Sequence, residues 1–182
     1  MIEKVKGSSG AEISKRKISA SLEYSVFSLL KKYHITLTTA ESATGGMIAS
    51  TLINVPGISE FFTEGYITYS NDAKVKMIGV KREIIDTYGV VSSETAADMA
   101  EAAARTAGTI AALSVTGVAG PDGGTKDCPV GLVYIGCHLN GKTVTEHHIF
   151  PGDRMAVRSA ACKRALELLA ESICNSYIRE NC

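Results

Sequence analysis

Between Ile35 and Asn54 the chain changes periodicity with no linker in between. ITLTTA is a β-branched run that reads as a short strand, and ESATGGMIASTLIN turns at once to helical spacing, so Ser42 to Gly46 must form a tight strand-to-helix turn. A strand that feeds straight into a helix commits a chain to a layered α/β arrangement. The rest agrees. Leu22, Val26, Leu29 and Leu30 fall on one face and predict an amphipathic helix over about 20–33. EGYITYS reads as a second strand, followed by short helices in NDAKVKMIG and KREIIDTYG. Ser92 or Ser93 is placed to cap the Ala-rich helix that follows, with Glu94 and Asp98 near its positive end. TIAALSVTG has the character of a buried third strand.

The next stretch, GVAGPDGGTKDCPVG, holds five glycines and two prolines and is a loop. VGLVYIGCHL and KTVTEHHIF flank Asn140-Gly141, a strong hairpin signal because both central residues of such a turn need positive φ. From about Asp153 a last helix carries Val157, Ala161, Ala165, Leu169, Ile173 and Tyr177 in an i+4 row. The expectation is an α/β fold with a mixed, mainly parallel sheet and one antiparallel hairpin. Parallel strands deliver their outgoing loops to one edge. The Ser42 turn, the Tyr69 to Lys74 segment and the Thr116 to Gly124 loop should therefore meet there, and a returning fifth strand should bring Arg154 to the same edge.

A length of 182 residues suits one domain, here 20–182 behind a tail at 1–19. Apolar residues are 45% of the chain and charged residues 21%, which argues against disorder. Basic and acidic residues number 19 each, and a chain that grips nucleic acid or an anionic membrane would carry a basic excess. Any bound anion is expected to be small. The five cysteines are scattered without a C-x-x-C pair, as expected of reduced thiols in a cytoplasmic protein. No apolar run is long enough for a membrane span, and MIEKVKGSSG has no apolar core of a signal peptide. Lys4, Lys6, Lys15, Arg16 and Lys17 stand against Glu3 and Glu12 in the first twenty residues, which reads as a solvated mobile tail or a basic contact arm.

Ser42 sits where a strand ends and a helix starts, facing unpaired backbone N–H groups. Those donors suit a phosphate or the oxyanion of acyl transfer; alternatively Ser42 or Thr44 is an N-cap and the glycines only allow close packing. Lys74 falls in the first turn of a helix, where its charge opposes the macrodipole. Burial and positive potential would lower its proton affinity and fit it as a general base for a serine; the other reading is a surface lysine. Tyr69 is a half-buried strand tyrosine or a hydroxyl that bonds into the pair. The glycine-rich loop is neither a Walker A motif nor a G-x-G-x-x-G. Arg154 and Arg158, four apart at a helix start, are met by a bridging anion or by solvent and Asp153. His147 and His148 are adjacent in a strand and point to opposite faces, so no metal site is assigned.

Six ordered blocks, T-A-E-S-A-T-G-G, G-Y-I-T-Y-S-N-D-A-K, G-V-V-S-S-E-T-A, T-G-V-A-G-P-D-G-G, P-V-G-L-V-Y and P-G-D-R, together resemble one family from about Leu22 to Leu169. It is that of the CinA C-terminal domain and its stand-alone relatives, the nicotinamide-nucleotide amidohydrolases (PncC). The resemblance implies a three-layer α/β/α fold and hydrolysis of the carboxamide of nicotinamide mononucleotide (NMN) to nicotinate mononucleotide and ammonia, with no metal or other cofactor. It implies Ser42 as nucleophile, Lys74 as its base and Tyr69 as the hydroxyl that orients or relays the proton. Glu41, Thr44, Gly45 and Gly46 would contribute to substrate binding from the first turn. Asn71, Thr116, Gly117 and Gly120 would do so from the other loops, with Arg154 facing the phosphate. The expected partner is this small nucleotide, without nucleic acid or membrane, and the expected assembly is a homo-oligomer, a dimer. Ala43 stands where the family usually has cysteine, and Cys128 where a lysine usually precedes P-V-G. A non-catalytic nucleotide-binding or regulatory module is the alternative; it would need the glycines and Arg154 but not a serine–lysine pair.

Overall fold

The computed structural model describes residues 21–177, so the basic N-terminal segment lies outside the described residues. Helix α1 (Leu22–Tyr33) leads into β1 (Leu37–Glu41), and the chain turns through Ser42 to Gly46 into α2 (Met47–Leu52). A 3-10 turn (Ile58–Glu60) precedes β2 (Phe62–Ile67), α3 (Asn71–Ile78), α4 (Arg82–Tyr88) and α5 (Ser93–Ala107). Then come β3 (Ala111–Gly117), the hairpin β4 (Leu132–Leu139) and β5 (Lys142–Ile149), and α6 (Arg154–Tyr177).

The five strands among the described residues lie in the order β2-β1-β3-β4-β5. β1 is parallel to both β2 and β3, whereas β4 is antiparallel to β3 and to β5. Four strands thus run one way and β4 alone opposes them, which is the mixed sheet with one hairpin that the sequence predicts. Glu41 is level with Ile67 on one side and Val115 on the other, so the carboxyl ends of the first three strands form one edge. β2 stops at Ile67, short of the expected EGYITYS strand. Thr68 N–H still donates to the Glu41 carbonyl at 2.9 Å, but β1 has turned away at Ser42 and later residues have no strand to pair with.

Period-2 alternation divides the sheet between two cores. Ala111, Leu113 and Val115 of β3 join Val26, Leu30, Leu166, Leu169 and Ile173 under α1, α2 and α6. Each fully buried Leu or Ile there contributes about 1.5–3 kcal/mol. Ala112 faces the other way, with Ala40, Met99 and Ala103, beneath α3, α4 and α5. The result is three layers, α/β/α. Helix α5 lies close on the sheet: Ser114 Oγ donates to the Ala96 carbonyl at 2.5 Å, and a Cβ at Gly136 would meet the same carbonyl oxygen at 2.6 Å. Only glycine leaves room at that position of β4.

Ser92, not Ser93, caps α5, accepting from Thr95 N–H at 3.1 Å. Asp98 is buried and accepts from Lys81 N–H at 2.7 Å. It serves the start of α4 rather than the dipole of its own helix. Asn140 and Gly141 have φ of 50° and 78°, the two positive values a two-residue hairpin turn requires. No described helix is long and apolar enough to cross a membrane.

Candidate active site

Ser42 is the first residue beyond β1, and its N–H donates to the Val115 carbonyl at 3.0 Å, which locks it to the end of β3. Its side chain meets Lys74, the fourth residue of α3. That helix is started by Ser70, whose Oγ accepts from Ala73 N–H at 3.0 Å, and the cap sets the direction in which Lys74 leaves the first turn. The Lys74 side chain is fully buried. Its Nζ donates to the Thr68 carbonyl at 2.8 Å and to Ser42 Oγ at 3.2 Å. No carboxylate among the described residues pairs with it. Burial pushes the Lys74 ammonium down from its ordinary 10.5 to about 8, and desolvation is the cause.

A cavity of about 250 Å³ opens in front of this pair, with Ser42, Lys74, Asn71, Thr116, Gly117, Tyr69 and Arg154 in its wall. It has the scale of a small-molecule site and is too small for a polymer. The convergence expected from the sheet edge is therefore realised: four separate segments supply these residues. Ala43, Val90, Val91 and Ala119 complete the wall as an apolar side. Sequence reasoning did not single these out as lining residues. The hydrophobic pair at the front of V-V-S-S-E-T-A, directly before a helix cap, is the signal by which Val90 and Val91 could have been found. Thr116 Oγ1 donates to the Val90 carbonyl at 2.7 Å and so fixes that apolar side against the end of β3.

Tyr69 is 64% exposed at the mouth, and its hydroxyl accepts from Arg154 Nη2 at 3.3 Å; it bonds to neither Ser42 nor Lys74. Arg154 Nη1 donates to the Gly120 carbonyl at 2.9 Å, which ties the glycine-rich loop to the start of α6. Arg158 diverges from Arg154. Its Nε and Nη2 donate to the carbonyls of Ala43 and Thr44 at 3.2 and 2.7 Å, so no anion is needed to explain it.

The first turn departs from expectation: none of Glu41, Thr44, Gly45 and Gly46 lines the cavity. Glu41, expected at the substrate, is 1% exposed, and its carboxylate accepts the N–H groups of Gly46, Ile48 and Ala49 at 2.9, 3.0 and 2.9 Å. A strand-end carboxylate thus satisfies the orphan donors at the start of α2. Glu41 and Gly46 border a separate hollow beside β2, with Ala49 and Ile67. Thr44, Gly45 and Gly120 are absent from the cavity wall, and Thr44 is buried with its Oγ1 unpartnered among the described residues. Glu41→Gln sets an amide donor against backbone donors, and about 2–4 kcal/mol of stability should be lost, measured by urea unfolding.

His148 bonds Glu146 at 2.9 Å and His147 packs on Tyr134, so the two rings do face opposite sides of β5. Cys128, half-buried in the glycine-rich loop, is not part of the cavity wall, and burial pushes its thiol up. The departure from the family pattern at that position therefore lies outside the wall of the cavity.

The family model of the CinA C-terminal domain matches residues 19–173. A protein of Clostridium acetobutylicum named for competence-damage induction is 51% identical over 155 residues, which are 85% of this chain and 38% of that protein. A CinA-like protein of Kosmotoga olearia is 50% identical over 84% of this chain and 37% of its own length. The chain thus spans under two-fifths of these curated relatives. A crystal structure of a competence-damaged protein (CinA) superfamily member from Klebsiella pneumoniae superimposes with a TM-score of 0.82 at 31% identity, covering 85% of this chain and 96% of that one. On sequence and on fold alike, this chain belongs to the CinA C-terminal domain family.

Proposed function

We propose that the chain is an amidohydrolase that converts the carboxamide of NMN to the carboxylate of nicotinate mononucleotide, with release of ammonia. The observation that carries this reading is the Lys74–Ser42 contact at 3.2 Å, with the lysine fully buried and without a counter-ion among the described residues. A pocket that only binds a nucleotide gains nothing from burying an ammonium at that cost. A serine nucleophile does gain, because a lysine near pH 8 is partly neutral at working pH and can take the hydroxyl proton.

In this reading Ser42 Oγ attacks the carboxamide carbon as Lys74 Nζ takes its proton. The oxyanion collapses, the C–N bond breaks, and ammonia departs with the proton returned by Lys74. Water, deprotonated by the same lysine, then attacks the ester, and the proton passes back to Ser42. The apolar side formed by Val90, Val91 and Ala119 suits a flat ring, and Arg154 at the mouth suits the phosphate.

Ammonia release measured side by side on NMN, free nicotinamide and glutamine tests the assignment. Turnover of NMN far above the other two is expected; turnover of glutamine alone would overturn it. Tyr69 divides the possibilities further. Its hydroxyl meets Arg154 and not the serine–lysine pair, so Tyr69→Phe should raise KM and leave kcat nearly intact. A kcat loss of roughly 10²-fold or more would instead make this hydroxyl a proton relay.

A further inference from the structure

Arg158 is a half-buried cation near the positive end of α6, and no described carboxylate pairs with it. Its guanidinium is spent on two neutral carbonyls, those of Ala43 and Thr44, immediately after the nucleophile. A trans peptide places its C=O and the next N–H on opposite edges of one plane. The Ala43 carbonyl is held by Arg158, so the Thr44 N–H points away from Arg158. The Ser42 carbonyl is held by Gly45 N–H at 3.1 Å, so the Ala43 N–H likewise points away from that bond. Neither of these two N–H groups has a protein acceptor among the described residues. Ala43 itself stands in the cavity wall.

We propose that Arg158 is a positioning residue for the reaction at Ser42: by holding the carbonyls of Ala43 and Thr44 it fixes the turn so that the N–H of Ala43, a residue of the cavity wall, is preset as donor to the oxyanion. This rests on the acyl-transfer reading of the site but not on the identity of the amide. A donor fixed in this way gains most when the carbonyl oxygen becomes negative, which is where the reaction needs it. It also accounts for a cation at an unfavourable helix end without an anion bridging it to Arg154.

The experiment compares wild type, Arg158→Ala and Arg158→Lys by NMN turnover and by labelling of Ser42 with a fluorophosphonate, read by mass spectrometry against Ser42→Ala. In Arg158→Ala, kcat and the labelling rate should fall by about 10–10²-fold, below or at the effect of losing one oxyanion donor. KM and the pH midpoint of kcat should stay in place, and added guanidinium at non-denaturing concentration should restore part of the rate. Arg158→Lys, which keeps the charge and one donor, should fall between. Unchanged rates overturn the proposal. So does a loss with a displaced pH midpoint and no guanidinium rescue, which would mean that the turn had collapsed, and so does a wild-type Ser42 that is not labelled. Arg158-dependent labelling without NMN turnover would overturn the substrate assignment and leave this proposal standing.

Discussion

Ser42→Ala should abolish turnover while the fold and nucleotide binding persist. Loss of a serine nucleophile of this kind costs about 10⁴–10⁶-fold in kcat, because the remaining groups have no covalent route to offer. The fold should tolerate the change. Among the described residues the hydroxyl makes one bond, to Lys74 Nζ, and that ammonium keeps its shorter contact to the Thr68 carbonyl. Stability should shift by no more than about 1 kcal/mol. The cavity wall from Tyr69, Asn71, Thr116 and Arg154 is untouched, so titration of NMN into the variant should give an affinity close to that of wild type. Substantial residual turnover would rule out the covalent mechanism, and lost binding with intact fold would make the Ser42 hydroxyl a substrate-binding contact.

Lys74 should govern both rate and stability, with opposite signs. With a pKa of about 8 the lysine is roughly one-tenth neutral at pH 7, so kcat should rise about tenfold between pH 7 and a plateau above pH 9. Below pH 8 the folded and unfolded lysines are both protonated, and the folded state bears the full cost of burying the charge. Between pH 8 and 10.5 the folded lysine is neutral while the unfolded one still binds a proton, so stability climbs with pH; above 10.5 the gain is complete. The gap corresponds to roughly 3 kcal/mol. Lys74→Met fills similar volume without the charge. It should lower kcat by roughly 10²–10⁴-fold and raise stability at pH 7 by roughly 2 kcal/mol, once the lost bond to Thr68 is deducted. It should also flatten the alkaline rise of stability. Lys74→Arg keeps a charge that cannot be shed in this range and should lose the rate without gaining stability. Urea unfolding from pH 7 to 10.5 and the kcat profile check both halves. A Lys74→Met variant that is slower but equally stable would mean that the ammonium is better solvated than its burial indicates.

The unequal legibility of the site has a physical basis. Ser42 and Lys74 were visible because each lies at a junction where periodicity changes, and parallel strands send such junctions to one edge. Arg154 was visible for the same reason through the hairpin, since a two-residue turn at Asn140-Gly141 leaves β5 no choice but to return. Tyr69 was visible as a neighbour, yet its hydroxyl turned to Arg154, across 85 residues of chain. Glu41 was read with its motif, although an acid at a strand end has two directions open to it: outward to a ligand, or back to the free N–H groups of the following helix. The tight turn at Gly45 and Gly46, both at positive φ, selects the second.

The sequence by itself determined the order of elements, the hairpin, the buried third strand and the edge on which chemistry gathers, because periodicity, turn residues and strand direction are local properties. Only the tertiary structure decided which polar groups meet. It buried Lys74 completely against Thr68 and Ser42, split Arg154 from Arg158, and gave the Glu41 carboxylate to backbone rather than to the cavity. Those outcomes depend on desolvation and on which donor comes within about 3 Å of which acceptor. Both are set by how the layers pack together, and neither is written in the spacing of residues along the chain.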